Sequence, residues 1–201
     1  MTDQSTPTRR TRAARLHPDE RRAQILDAAV AVFGRQGYRQ GSLKTVADEI
    51  GLTIQGLLHY FPTKEELLLA ALERRNEADQ EALDAAYASG GTLESCRHIL
   101  RRNLERPGFM RLFVTLAAEA TDPEHPAHDY FLRRYRTAVV QFRDYLRRDV
   151  RAGRLAPDLD AEDAASQVIA LMDGLQLQYL LRPGFDLIAA FDAAVAPLAR
   201  D

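Results

Sequence analysis

The punctuation between residues 41 and 64 constrains this chain more than any other feature. In the stretch GSLKTVADEIGLTIQGLLHYFPTK, Ser42 can cap a helix whose apolar face is Leu43, Val46, Ala47 and Ile50. Gly51 supplies a turn. Thr53 can cap a next helix over Ile54–Tyr60, and Pro62 prevents its continuation. Thr63 and Glu66 then have the spacing of a capping box for a long helix that starts at Lys64. Two helices this short cannot bury a core alone, so they must be held by longer neighbours.

Those neighbours are legible on both sides. Pro18 suits a first helical position, and Asp19 and Glu20 suit the positive end of the helix dipole. Ile25, Ala28, Ala29, Val32 and Phe33 follow at helical spacing, and Gly34 and Gly37 are expected to end that helix. The helix from Lys64 should run into the eighties, where Ser89, Gly90 and Gly91 break it. Further helices are expected over 93–105, from Phe109 to Ala117, and from Phe131 to Gly153. Two more should span Glu162–Leu181 and Phe185–Leu198, parted by Arg182-Pro183-Gly184. No strand alternation is sustained and no internal repeat is visible. The expectation is an all-α fold of about nine helices. It divides into a basic arm at 1–16, a three-helix helix-turn-helix head at 17–63, and a helical body at 64–201.

Charge separates these parts. Residues 1–63 hold nine Lys+Arg against six Asp+Glu, whereas the remainder is acidic and the whole chain carries −2. A basic front on an acidic back fits a nucleic-acid head on a body with another task. Cys96 is the single cysteine, which excludes an internal disulfide and fits a reducing compartment. No apolar run reaches membrane-spanning length, and the Arg-rich N-terminus lacks the apolar core of a secretory signal. A cytoplasmic protein with no membrane partner is expected.

The third short helix has the shape of a DNA reader. Leu57, with Leu58 or Phe61, would point inward and set its angle, leaving Thr53, Ile54, Gln55 and Gly56 to lead into the major groove. Gln55 can pair bidentately with adenine, and a Thr or Ile methyl can touch thymine. Gly56 is costly inside a helix, by about 1 kcal/mol against Ala; close approach to DNA or to another helix would account for it. Only two lysines stand among 25 arginines, Lys44 and Lys64, and both fall at helix starts flanking the reader. Lys64, with the free N–H groups of its helix start, suits a phosphate; chance placement of two solvated side chains is the alternative.

The order and spacing of Ile25-Leu26-Asp27-Ala28-Ala29, Phe33, Gly37-Tyr38, Ser42, Val46-Ala47, Ile50-Gly51-Leu52-Thr53, Leu57, His59-Tyr60-Phe61 and Thr63-Lys64-Glu65-Glu66-Leu67 resemble the TetR family of bacterial regulators. The resemblance covers roughly residues 20–70. It implies a homodimer with one helix-turn-helix per subunit, and a helical body that binds an inducer. It places Lys44, Thr53, Gln55, Gly56, His59, Tyr60 and Lys64 on the DNA side, and Ser42, Thr45 and Ile54 join them as expected DNA contacts. Leu58 departs from it, since the family often has a phosphate-binding tyrosine there; His59 or Tyr60 is left for that contact. The arm (Arg9, Arg10, Arg12, Arg15) is either a minor-groove contact or a solubilising tail.

The last two expected helices are apolar on more than one face, so they are buried on more than one face. A homodimer through these helices, matching a palindromic double-stranded operator, is one answer; an intramolecular core is the other. Ala118-Glu119-Ala120, Gly153-Arg154-Leu155, Ala161-Glu162-Asp163-Ala164-Ala165 and Met172-Asp173-Gly174-Leu175-Gln176-Leu177-Gln178 are similar to one subgroup of the family. Aromatic and methionine supply then suggests a small-molecule pocket among Phe109, Met110, Phe113, Tyr130, Tyr135, Phe142, Met172 and Tyr179, with Glu119, Asp173 and Gln176 as polar groups. The same residues serve equally as packed core. His125 and His128, with Glu124 and Asp129, read as a solvated loop rather than a metal site, because a structural site takes four ligands. Arg133, Arg134, Arg136, Arg143, Arg147 and Arg148 read as a solvated face with intrahelical pairs.

No phosphate loop, His-Glu-x-x-His or nucleophile elbow is present, so an enzyme is not expected and no cofactor is implied. The expected function is a ligand-responsive repressor, with two readers one DNA turn (34–36 Å) apart. A helical interaction protein or a helical enzyme without motifs is the alternative.

Overall fold

The computed structural model describes residues 17–199. The arm at 1–16 and its arginines lie outside the described residues. Eight α-helices are described: α1 Pro18–Gln40, α2 Leu43–Glu49, α3 Ile54–Leu58, α4 Lys64–Leu104, α5 Pro107–Glu119, α6 His128–Arg151, α7 Ala161–Leu181 and α8 Leu187–Val195. A 3-10 turn at Ala196–Leu198 follows. The expected last helix thus starts later and stops earlier. Asp186 caps α8 by accepting from the Ala189 N–H at 2.9 Å, and Pro197 sits in the tighter turn.

Two departures in the long helices have physical causes. Gly34 does not end α1; it is buried inside it. A Cβ there would stand 2.6 Å from the Gly108 carbonyl oxygen, so the missing side chain lets α1 and the start of α5 touch backbone to backbone. The helix bends only at Gly37, where φ is 78°. The expected break at Ser89–Gly91 is a kink with no loop. Gly91 adopts φ 78° and ψ −168°, a conformation essentially closed to other residues. The next amide, on buried Thr92, donates to Asp149 Oδ2 of α6 at 2.7 Å. Arg154 Nε donates to the other oxygen at 2.9 Å. Asp149 therefore caps the second half of α4 from a neighbouring helix, and α4 continues at once in a new direction.

Two hydrophobic cores result. The first joins the head to the body: Ile25, Ala29, Val32 and Phe33 of α1 meet Val46, Leu57, Phe61, Leu67 and Leu68, and the same cluster includes Leu112, Phe113 and Leu116 of α5 and Phe131 of α6. The second lies between the far half of α4 and α6, α7 and α8, with Leu100, Leu146, Ala165, Val168 and Phe191. Buried Cys96 belongs to it, and burial pushes its thiol far above the usual range. No helix is long and apolar enough to cross a membrane, among the described residues.

Candidate DNA-reading tip and effector cavity

The tip is set by what α3 buries. Leu57 is fully buried and Phe61 nearly so, each worth about 1.5–3 kcal/mol. Leu58 is exposed, which settles the expected choice of anchors in favour of Phe61. The helix is shorter than expected, because His59 and Tyr60 lie in the turn after Leu58. Ser42 caps α2 by accepting from the Thr45 N–H at 3.0 Å. Thr53 caps α3 by accepting from the Gly56 N–H at 3.0 Å. Both hydroxyls therefore hold the helix starts as well as facing out. Gln55 and His59 are exposed, and Ile54, Gly56 and Tyr60 are half-buried. A Cβ on Gly56 would meet the Thr53 hydroxyl at 3.2 Å and Leu52 at 3.6 Å. The glycine thus makes room for its own cap and not for another helix.

The two lysines differ. Lys44 is exposed, with its ammonium 2.6 Å from Asp48, a pair that a phosphate can replace at little cost. Lys64 folds back instead. It donates to the Arg39 carbonyl at 3.2 Å and lies 4.4 Å from the Tyr38 ring centre, and burial lowers its pKa. It ties α4 to the end of α1.

The expected ligand residues gather only in part. A cavity of about 320 Å³ lies between α4, α6 and α7 and is lined by Phe109, Phe113, Tyr130, Tyr135, Phe142, Met172, Asp173 and Gln176, among others. Met110, Glu119 and Tyr179 are placed elsewhere. Met110 is buried in the core, and Tyr179 packs against the second core. Glu119 lies towards the head, 3.5 Å from Arg39 and 3.7 Å from His125.

Charged residues line the cavity as well, and the sequence had placed none of them there except Asp173. Asp79 stands 2.8 Å from Arg75 and 3.5 Å from Arg102; burial outweighs Arg102 and Arg134 and pushes its carboxyl up to about 6. Tyr135 donates to Asp173 at 2.7 Å, and burial raises the pKa of both groups. Asn103 donates to Gln176 Oε1 at 2.8 Å, and Gln176 donates to the Met172 carbonyl at 3.1 Å. Arg134 lies over the Phe113 ring at 4.8 Å and Arg75 over Phe109 at 5.0 Å. The α6 arginines are thus not one solvated face. Arg134 enters the cavity, and Arg133, Arg143 and Arg147 pair across helices with Glu73 or Glu162. Helix periodicity counts residues per face, but cannot show that α4 covers this one.

The histidine loop is solvated only in part: Thr121, Asp122, Pro123, Glu124 and Asp129 are exposed, while its two histidines are packed. His125 is 12% exposed in its side chain and edge-on to Tyr38 of α1, while His128 Nδ1 lies 2.8 Å from the Ala120 carbonyl. Among the described residues no group of three or more His, Cys, Asp or Glu is arranged to hold a metal ion.

Two capped short helices on a buried Leu57–Phe61 anchor, with α4 running from that head to a cavity among the body helices, define a helix-turn-helix transcriptional regulator. Comparison with known proteins agrees. Residues 25–71 match the family of bacterial regulatory proteins, tetR family, and residues 93–199 match the BetI-type transcriptional repressor, C-terminal. The chain belongs to the TetR family, with a BetI-type C-terminal body. Members are non-enzymatic DNA-binding transcription factors that bind operators and small molecules, typically as dimers. The repressor KstR of Mycolicibacterium smegmatis is 38% identical over 73 residues, 36% of either chain; this match spans about a third of that relative. The regulator BetI of Agrobacterium fabrum is 26% identical over 169 residues, covering 81% of this chain and 78% of that one. A transcriptional regulator from Saccharomonospora viridis, solved in complex with choline, superposes with a TM-score of 0.78 at 21% identity, over 91% of this chain and all of that one. At that identity the likeness carries the fold and not the ligand.

Proposed function

We propose that two copies of this chain bind a palindromic operator as a repressor, and that a small molecule entering the cavity between α4, α6 and α7 releases it. The observation that carries this reading is the continuity of α4. It begins at Lys64, directly behind the reader, and its residues Glu73, Asp79, Leu83, Ile99 and Asn103 line the cavity. A ligand that spreads α4 from α6 and α7 therefore moves the base on which α3 is mounted. In a dimer this changes the distance between two readers that must span one DNA turn, about 34–36 Å. Ligand and DNA then oppose one another through a coupling of about 1–3 kcal/mol.

Ser42, Lys44, Thr45, Thr53, Ile54, Gln55, Gly56, His59 and Tyr60 are the proposed contact surface, with Gln55 reading a base edge and Lys44 and Tyr60 on phosphates. Lys64 positions the head. For the dimer, the outward face of α7 supports an interface: Leu177 and Leu181, four residues apart, are 46% and 71% exposed. The test is selection of genomic fragments by the purified protein, followed by anisotropy titration of the retained site. Gln55→Ala should cost about 1–3 kcal/mol on that site alone, and Lys44→Ala should reduce the salt slope by about 1. A protein that retains no fragment at modest salt would end this reading.

A further inference from the structure

The same cavity carries information about the charge of what enters it, on the reading that it is the effector site. Of the three carboxylates that line it, the two more buried both have partners: Asp79 lies within ion-pair reach of Arg75 and Arg102, and the Tyr135 hydroxyl donates to Asp173. At the rim Glu73 faces Arg133 at 3.8 Å. Arg134 is left without an ion pair in contact. Its one side-chain hydrogen bond among the described residues is a 3.4 Å contact to the neutral Asn76 amide. Its Nε is buried with no partner among them. A buried guanidinium N–H with no acceptor is a standing cost that an incoming acceptor removes. The lining thus sets three guanidiniums (Arg75, Arg133, Arg134) against three carboxylates (Glu73, Asp79, Asp173), and burial pushes the Asp79 and Asp173 carboxyls towards their neutral forms. The aromatic walls agree: Phe109 and Phe113 already carry the guanidiniums of Arg75 and Arg134 on their faces, so those faces are closed to a cationic ligand. The rest of the wall is apolar, with Leu83, Phe142, Ile169 and Met172.

The geometry points to an anionic amphiphile as the ligand: an organic monocarboxylate whose acid group pairs with Arg134 and whose apolar body lies against Phe142, Ile169 and Met172. A space of about 320 Å³ holds roughly ten non-hydrogen atoms at ~30 Å³ each.

Three probes with one tail and different heads decide the matter: octanoate, octan-1-ol and octyltrimethylammonium, titrated calorimetrically into the full chain and then into its operator complex. Octanoate should bind at least about tenfold tighter than octanol, a difference of ~1.4 kcal/mol, and the ammonium weakest of all. Arg134→Gln should erase the preference for octanoate while octanol binds as before, which also reports an intact cavity. Arg134→Lys should keep part of the preference, since the charge stays without the planar fork. An ammonium that binds as tightly as octanoate overturns the anion assignment and leaves the effector cavity standing. A preference that survives Arg134→Gln overturns the role of Arg134. If none of the three binds, the anionic ligand and the effector cavity fall together.

Discussion

Replacing Gly91 with alanine tests the account of how α4 changes direction. The backbone there, at φ 78° and ψ −168°, costs a residue with a Cβ about 1–3 kcal/mol. The new methyl would also sit 2.8 Å from Asp149 Oδ2 and 3.0 Å from Arg154 Nε. The carboxylate cannot step aside freely, because Thr92 N–H and Arg154 hold it at 2.7 and 2.9 Å. Moving it forfeits a charge-assisted hydrogen bond worth about 1.5–3 kcal/mol. Gly91→Ala should therefore cost about 3–5 kcal/mol. Asp149→Ala alone leaves the Thr92 amide buried and unpaired, a loss of about 1–3 kcal/mol. In the Asp149→Ala background the methyl has no carboxylate to displace, so Gly91→Ala should then cost only its backbone strain. The double-mutant cycle should fall short of additivity by about 1.5–3 kcal/mol. Equilibrium urea unfolding measures this, at one protein concentration because the apparent stability of any dimer depends on it. Additivity within about 0.5 kcal/mol would refute the claim that Asp149 and the Gly91 conformation form one device.

Two further outcomes follow from other parts of the molecule. Asp79 has its carboxyl raised from 3.8 to about 6, so folding favours its protonated form; the stability this confers is complete at acid pH and is lost as pH rises through 6. Relative to Asp79→Asn, the wild type should gain about 1 kcal/mol between pH ~7.5 and ~5, at 1.36 kcal/mol per pKa unit, and unfolding curves with a pH-independent difference would contradict the burial of that carboxyl. Leu177→Glu with Leu181→Glu should give a folded monomer by sedimentation, with operator affinity lost; an intact dimer would move the interface away from the outer face of α7.

Much of the head was legible because its signals are local. Ser42, Thr53 and Thr63 cap the helices that their neighbours in sequence begin, and Val46 and Leu57 are buried where helical spacing puts them. A cap bonds an amide two or three residues away, so composition over one turn suffices to find it. The cavity was half legible for the opposite reason. Phe113, Phe142 and Met172 could be named as pocket or core alike, since both demand apolar side chains. Met110 and Tyr179 satisfy the same pattern and fall outside.

What the chain's order of residues determined unaided is the all-helical architecture, the place of the two short capped helices, and Leu57 as one of the anchors that aim the second; Phe61 over Leu58 was decided by burial. Those depend on contacts within a few residues, where spacing and chemistry leave few alternatives. Tertiary structure alone decided that Gly34 is a point of contact with Gly108 and not a helix end, that Asp149 caps a helix 57 residues away, and that Arg134 turns from solvent into a cavity. Each of these rests on a partner distant in sequence, and burial by such a partner leaves no periodic trace in the residue it covers.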